Sequence, residues 1–262
     1  MKSFTKILAA TVISLLVGAG SAKADLKFGV AAEPYPPFSS KDASGKWVGW
    51  EIDLMNAVCA KMNEKCELVE VAWDGIIPAL TSKQIDVIWS SMSITGERKK
   101  TIDFTNFYYN TPTVIIGPKN GDVDITPEHL KGKTLGAQVS TIHEKYLQKY
   151  YGAGSEIKTY QTQDEANNDL AAGRLDYVQA DGSALEAFLK TEQGLACCEM
   201  KGQVPEDKEI LGEGVGGGIR KEDTQLKEKL NAAIGELAKS GELQKITENY
   251  PDLNGKMILP TQ

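Results

Sequence analysis

Two widely separated stretches of this chain follow one plan. LTSKQIDVIWSS (80–91) and LAAGRLDYVQAD (170–181) each run from a leucine through a short polar helix end to an apolar residue, an aspartate and a strand. Aligned on Asp86 and Asp176, Ser91 falls opposite Asp181. KFGVAA (27–32) and TLGAQV (134–139) form a second echo, each reading as a first strand with glycine in its interior. A unit used twice in the same order predicts two lobes of one design. Strand and helix signals alternate along the rest of the chain, which is the pattern of α/β architecture. Strands are expected near 26–32, 66–73, 85–89, 113–118, 133–138, 156–161 and 175–180, and helices over 51–63, 74–83, 140–151, 163–173, 182–191 and 223–240. Asp74 is placed to cap the second helix, and Thr126 followed by Pro127 reads as a further helix start. The fold class is therefore α/β, with a mostly parallel sheet flanked by helices in each lobe.

Open α/β sheets hold ligands at the carboxyl ends of their parallel strands, and the polar residues of both lobes fall there. VIWSSMSITGER (87–98) ends a greasy strand in Ser90, Ser91 and Ser93 and follows them with Arg98. Ser93 or Thr95 capping the next helix, with Arg98 solvated, is the plain reading of that stretch alone. Set against Asp181, the same residues line one side of a cleft. Arg98 can then pair bidentately with a carboxylate, helped by free amides at a helix start, and Asp181 can accept from an ammonium. VSTIHEKY repeats the strand-to-helix device with Ser140 and Thr141. A carboxylate and an ammonium on one carbon describe an α-amino acid. AAEPYPPF contributes Glu33 and Tyr35, and AWDG contributes Trp73, so a flat or cationic side chain could lie between the two rings. Two alternatives stay open: Tyr35 and Trp73 as core residues, and Asp181 as the N-cap of helix 182–191.

The first 24 residues carry Lys2 and Lys6, an apolar run from Ile7 to Gly18 and a small-x-small ending at Ala24. They predict an export leader cleaved after Ala24, too short and wrongly flanked for a membrane anchor. The first cysteine is Cys59, so a lipid-modified N-terminus is not expected. The whole chain has a formal charge of −7, and removing Lys2, Lys6 and Lys23 makes the remainder more acidic. That balance argues against nucleic acid and anionic membranes as partners. In an oxidising compartment Cys59, late on a helix, and Cys66, opening the returning strand, are expected to form a disulfide. Cys197 and Cys198 are adjacent, with α-carbons closer than a relaxed disulfide prefers, and their role stays open. No metal site or cofactor is expected. The only histidines are His129 and His143, and HEKYL puts Leu147 where a zinc helix needs its second histidine.

YPPF, GWEIDL, WDGIIPAL, IDVIWSSMSITGER, AGRLDYVQAD and GEGVGGGIRKED resemble the motifs of family 3 periplasmic solute-binding proteins, in one collinear register over nearly the whole mature chain. Within that family the chain is similar to the lysine/arginine/ornithine, histidine and opine binders. The resemblance implies a type II periplasmic binding protein fold, joined by two hinge segments near 109–112 and 206–214. It implies one lobe from 25–111 and 211–262, a second from 112–210, and a monomer that delivers an amino acid to an ABC permease. Carried over by position, it implies that Arg98 grips the α-carboxylate with Ser93 and Thr141, and that Asp181 and Ser91 hold the ammonium. It further implies that the ligand side chain lies between Tyr35 and Trp73 with Ser90 near its distal atoms, and it supports the Cys59–Cys66 bond. The departures fall on specificity: Ala32 stands where the basic amino acid binders carry an acid, with Glu33 one step on, and Trp89 and Ile142 replace smaller or more polar residues. An exported enzyme similar to the dehydratases of this fold would use Glu33 as general acid. Against it, no histidine is expected near the candidate site and no nucleophile elbow appears. A receptor's sensing domain is a third reading, disfavoured by the missing membrane segment.

Overall fold

The computed structural model describes residues 24–253 and 255–260, so the leader, apart from Ala24, lies outside the described residues. Two five-stranded sheets share one strand order. The first takes β1 (Leu26–Ala31), and then, after a small ribbon of β2 (Ser40–Lys41) and β3 (Trp47–Val48), β4 (Cys66–Val71), β5 (Val87–Ile88) and β6 (Asp103–Phe104). The second takes β7 (Thr113–Pro118), β8 (Thr134–Gln138), β9 (Glu156–Tyr160), β10 (Tyr177–Asp181) and β11 (Cys198–Gln203), after which β12 (Gly218–Ile219) returns to the first. Their orders are β4-β1-β5-β12-β6 and, read from the matching edge, β9-β8-β10-β7-β11. In each, the strand arriving from the other lobe (β12 or β7) inserts antiparallel beside the third strand. Each sheet is thus half parallel, less than the alternation predicts, because both crossing strands come in from the opposite end.

The echoed residues do the same work in both lobes. Asp86 accepts the Lys27 N–H at 3.1 Å and donates its own N–H to the Lys27 carbonyl at 2.8 Å. Asp176 does the same to Thr134, at 2.8 and 2.9 Å. A Cβ on Gly29 would sit 2.3 Å from the Ile85 terminal methyl, and one on Gly136 2.4 Å from that of Leu175. The interior glycine and the apolar-Asp pair are therefore the two halves of one strand-to-strand lock. Successive residues of β5 feed opposite cores: Val87 and Trp89 pack with Phe28, Trp50 and Leu230, whereas Ile88 packs with Ile76, Leu80 and Ile102. Burial on both faces is why the strand reads as a continuous apolar run.

Helices α1 (Trp50–Met62), α2 (Ile76–Thr81), α3 (Gly96–Lys99), α4 (Ile142–Tyr150), α5 (Gln163–Ala171) and α6 (Gly182–Leu189) follow the strands, and α7 (Glu192–Cys197), α8 (Lys208–Leu211), α9 (Thr224–Lys239) and α10 (Glu242–Glu248) complete the chain. Thr141 caps α4, and Thr162 with Glu165 forms a capping box on α5. Two helix starts fall elsewhere than the sequence suggests. Asp74 lies inside a 3-10 turn ahead of α2 and makes no cap bond, and 127–132 is a run of turns. The strands β2, β3, β6, β11 and β12 and the helices α7, α8 and α10 escape pattern reading, β12 because it is two residues inside a glycine run.

The crossing segments run side by side. Val215 accepts the Tyr108 N–H at 2.9 Å and donates to the Tyr109 carbonyl at 2.8 Å. Cys59 and Cys66 are bonded, with α-carbons 6.3 Å apart, and Cys197 and Cys198 are also joined. Among the described residues, no helix is long and apolar enough to cross a membrane.

Gly49 shapes the entry to α1. With φ 129 and a would-be Cβ 2.3 Å from the Phe38 carbonyl oxygen, it lets Trp50 and Glu51 donate their N–H groups to Pro37 and Phe38, both at 3.0 Å. Gly49→Ala should cost about 2–4 kcal/mol through backbone strain and overlap. Calorimetric melting should show the midpoint lowered by roughly 4 °C or more for a chain this size; an unchanged midpoint would refute this account of the turn.

Candidate functional site

The carboxyl ends of β1, β5, β8 and β10 open on one cavity between the two sheets. Glu33, Tyr35, Trp73, Ser90, Ser91, Ser93 and Arg98 from the first lobe line it, with Thr141 and Asp181 from the second, whereas Ser140 does not.

Arg98 and Asp181 carry its opposing charges. Thr95 caps α3 by accepting the Arg98 N–H at 3.2 Å, which fixes the start of the arginine's helix. The guanidinium then donates to the Ser93 carbonyl at 2.9 Å and, across the cleft, to the Ser140 carbonyl at 3.4 Å. It also lies over the Trp73 ring, 5.5 Å from its centroid. Burial lowers its pKa from 12.5 to about 10, partly countered by Asp181, so it stays protonated at neutral pH. Asp181 occupies the N-cap position of α6 but makes no cap bond. Its carboxylate faces the cleft and accepts the Tyr35 hydroxyl at 2.8 Å. That settles the plain reading of Asp181 against a capping role. Burial first, and Asp181 second, push the Tyr35 hydroxyl well above its ordinary pKa.

The serines divide their work. Ser90 accepts the Ala31 N–H at 2.9 Å, tying the end of β1 to β5. Ser91, at φ 52, donates its hydroxyl to the buried Glu51 at 2.8 Å. Thr141 donates to the Gln138 carbonyl at 2.6 Å and accepts the Glu144 N–H at 3.2 Å. Glu33 accepts the Trp73 N–H at 3.2 Å, which joins the two loops that carry Tyr35 and Trp73. Trp89 belongs to the core: it is fully buried, stacks on Tyr108 at 4.4 Å and donates its indole N–H to the Glu51 carbonyl at 2.9 Å.

The model of the bacterial extracellular solute-binding proteins, family 3, matches residues 26–252. The chain belongs to that family. It is 42% identical to the L-arginine-binding protein of Pseudomonas aeruginosa over 93% of both chains. To the histidine-binding periplasmic protein of Salmonella typhimurium it is 38% identical, over 87% of this chain and 88% of the relative. An ancestral arginine-binding protein bound to arginine superposes with a TM-score of 0.80 at 36% identity, covering 87% of this chain and 99% of that one.

In this family 3 protein the second lobe supplies three wall residues that sequence reasoning passed over: Gln138, His143 and Gln163. The expectation that no histidine lies near the site is wrong. His143 is 4% exposed, lines the cavity, and its Nε2 lies 3.6 Å from an Asp181 oxygen. Its position follows from the cap: Thr141 starts α4, so the second residue of the helix points back over the strand end. The same holds for Gln163, the first residue of α5 after Thr162. Extending the strand-end rule two residues into each helix would have found both, and Gln138 is itself the last residue of β8.

Proposed function

We propose that this chain is the periplasmic solute-binding component of an ABC transporter and takes a cationic L-amino acid, of the lysine, arginine, ornithine, histidine or related opine class, into the cleft between its lobes. One observation carries the reading: Arg98, on α3 of the first lobe, and Asp181, at the end of β10 in the second, line a single cavity. A zwitterion satisfies both at once and so favours the closed arrangement over the open one. The preference for a cation comes from charge. After the zwitterion has used Arg98 and Asp181, the cavity wall still holds the carboxylate of Glu33. Tyr35 and Trp73 flank that region and suit a guanidinium or ammonium. The relatives' names, arginine-binding and histidine-binding, agree with this class. Hinge motion near 109–112 and 206–214, delivery to a permease, action as a monomer and export behind the leader complete the proposal.

A thermal-shift panel of the amino acids with ornithine and opines, followed by calorimetry, tests it. Cationic L-amino acids at about 100 times Kd should add about 2.7 kcal/mol of stability, and acidic ones none. Absence of any shift with amino acids, or conversion of a cyclic acid substrate by Glu33, would overturn it.

A further inference from the structure

We propose that Glu51, from the GWEIDL stretch, is a positioning residue for amine recognition: its carboxylate turns the Ser91 hydroxyl into an acceptor that faces the cleft. The proposal rests on the amino-acid reading above and adds a residue that does not touch the ligand.

Glu51 is completely buried, and both carboxylate oxygens are occupied by donors. Oε1 accepts the Ser91 N–H at 2.9 Å and the Tyr108 hydroxyl at 2.5 Å, and Oε2 accepts the Ser91 hydroxyl at 2.8 Å. Its backbone is held as well, through its own N–H to the Phe38 carbonyl and its carbonyl to the Trp89 indole. This clamp holds Ser91 in its left-handed conformation by both of its donors. A serine hydroxyl has one hydrogen, so donating it inward leaves only lone pairs for the cavity that Ser91 lines. An ammonium donates and never accepts. Beneath the site, then, a fixed carboxylate selects the hydroxyl orientation that an ammonium needs.

No cation pairs with Glu51 among the described residues, and burial raises its pKa despite the three donors. A buried carboxylate without a counter-charge is costly. A positive group bound over Ser91 would offset part of that cost, so Glu51 and Asp181 favour the amine from two sides.

Glu51→Gln separates this role from mere support. The amide oxygen can keep the Ser91 N–H and Tyr108 bonds, but the NH₂ group then faces the Ser91 oxygen and donates to it. The hydroxyl hydrogen is displaced from its inward bond and turns toward the cavity, and one of the two lone pairs is taken by the amide, so the site no longer presents acceptors alone. The probes are L-arginine and its desamino analogue 5-guanidinopentanoate, measured by calorimetry on the full mature chain. For L-arginine, Glu51→Gln should weaken binding by at least about tenfold, and for the analogue by less than about threefold. Ser91→Ala should show the same selective loss, the double variant should lose little more than either single one, and Tyr108→Phe should keep wild-type selectivity. Equal loss for both probes, or no loss for either, overturns the proposal; should Glu51→Gln fail to fold, Ser91→Ala with unchanged selectivity does so. Failure of the wild-type protein to bind any amino acid would instead sink the amino-acid reading, and this proposal with it.

Discussion

Arg98→Ala is expected to weaken binding of the α-amino acid ligand by 2–5 kcal/mol, between about 30-fold and several thousand-fold, as removal of one partner from a buried charge pair does. The guanidinium is the cationic group among the residues that line the cavity, His143 apart, and its two-pronged geometry matches a carboxylate. Arg98→Lys should recover only part of the affinity, because a point charge replaces a fork. The free protein should melt no lower than wild type. Burial already disfavours the charged guanidinium, as its lowered pKa of about 10 reflects, and function rather than stability keeps it there. Calorimetric titration and melting of the same variant check both halves. A wild-type affinity, or a collapse in the melting point that accounts for lost binding, would refute the assignment.

Asp181→Asn is expected to weaken amino-acid binding on the order of 100-fold, within the range for breaking a buried, hydrogen-bonded charge pair. The change is isosteric, so the Tyr35 hydroxyl can still donate to the amide oxygen in place of the 2.8 Å bond to the carboxylate. What changes is charge and donor sense, because the new NH₂ group repels an ammonium. Affinity for an analogue lacking the amine should be nearly unaffected, narrowing the preference for the amine expected of the wild-type protein. A parallel loss for both ligands would show Asp181 to be a bridge between lobes rather than an amine acceptor. Tyr35→Phe is the control, since it removes the 2.8 Å bond across the cleft and leaves the carboxylate in place.

Much of this molecule was legible in one dimension. The repeated apolar-Asp and strand-glycine pairs are legible because each lock closes within one lobe, between the first and third strands of a strand-helix-strand-helix-strand unit: Asp86 to Lys27 and Asp176 to Thr134. Strand ends are local, and in an open α/β sheet they all face one side, so Ser90, Ser91, Ser93, Arg98, Thr141 and Asp181 could be placed at a cleft from their positions alone. Glu51 could not. It sits at the start of α1 and reads as a solvated acid in the first turn, where acids are favoured. Only the packing of α1 against the end of β5 turns it inward beneath Ser91.

Three things were left to tertiary structure: the mixed sheets, the fate of Asp181 and the makeup of the second-lobe wall. The strands β7 and β12 pair antiparallel because the chain crosses twice between lobes, a long-range event with no local period. Whether Asp181 caps its helix or faces the cleft depends on Tyr35, which arrives from the other lobe. His143 joins the cavity for a related reason: Asp181, which it faces, is distant in sequence and meets it only once β8 and β10 pair side by side. Periodicity and turn chemistry determine what each unit is. Contacts between units decide which side chains face the cleft, since those are set by how one sheet meets the other rather than by any residue's neighbours in the chain.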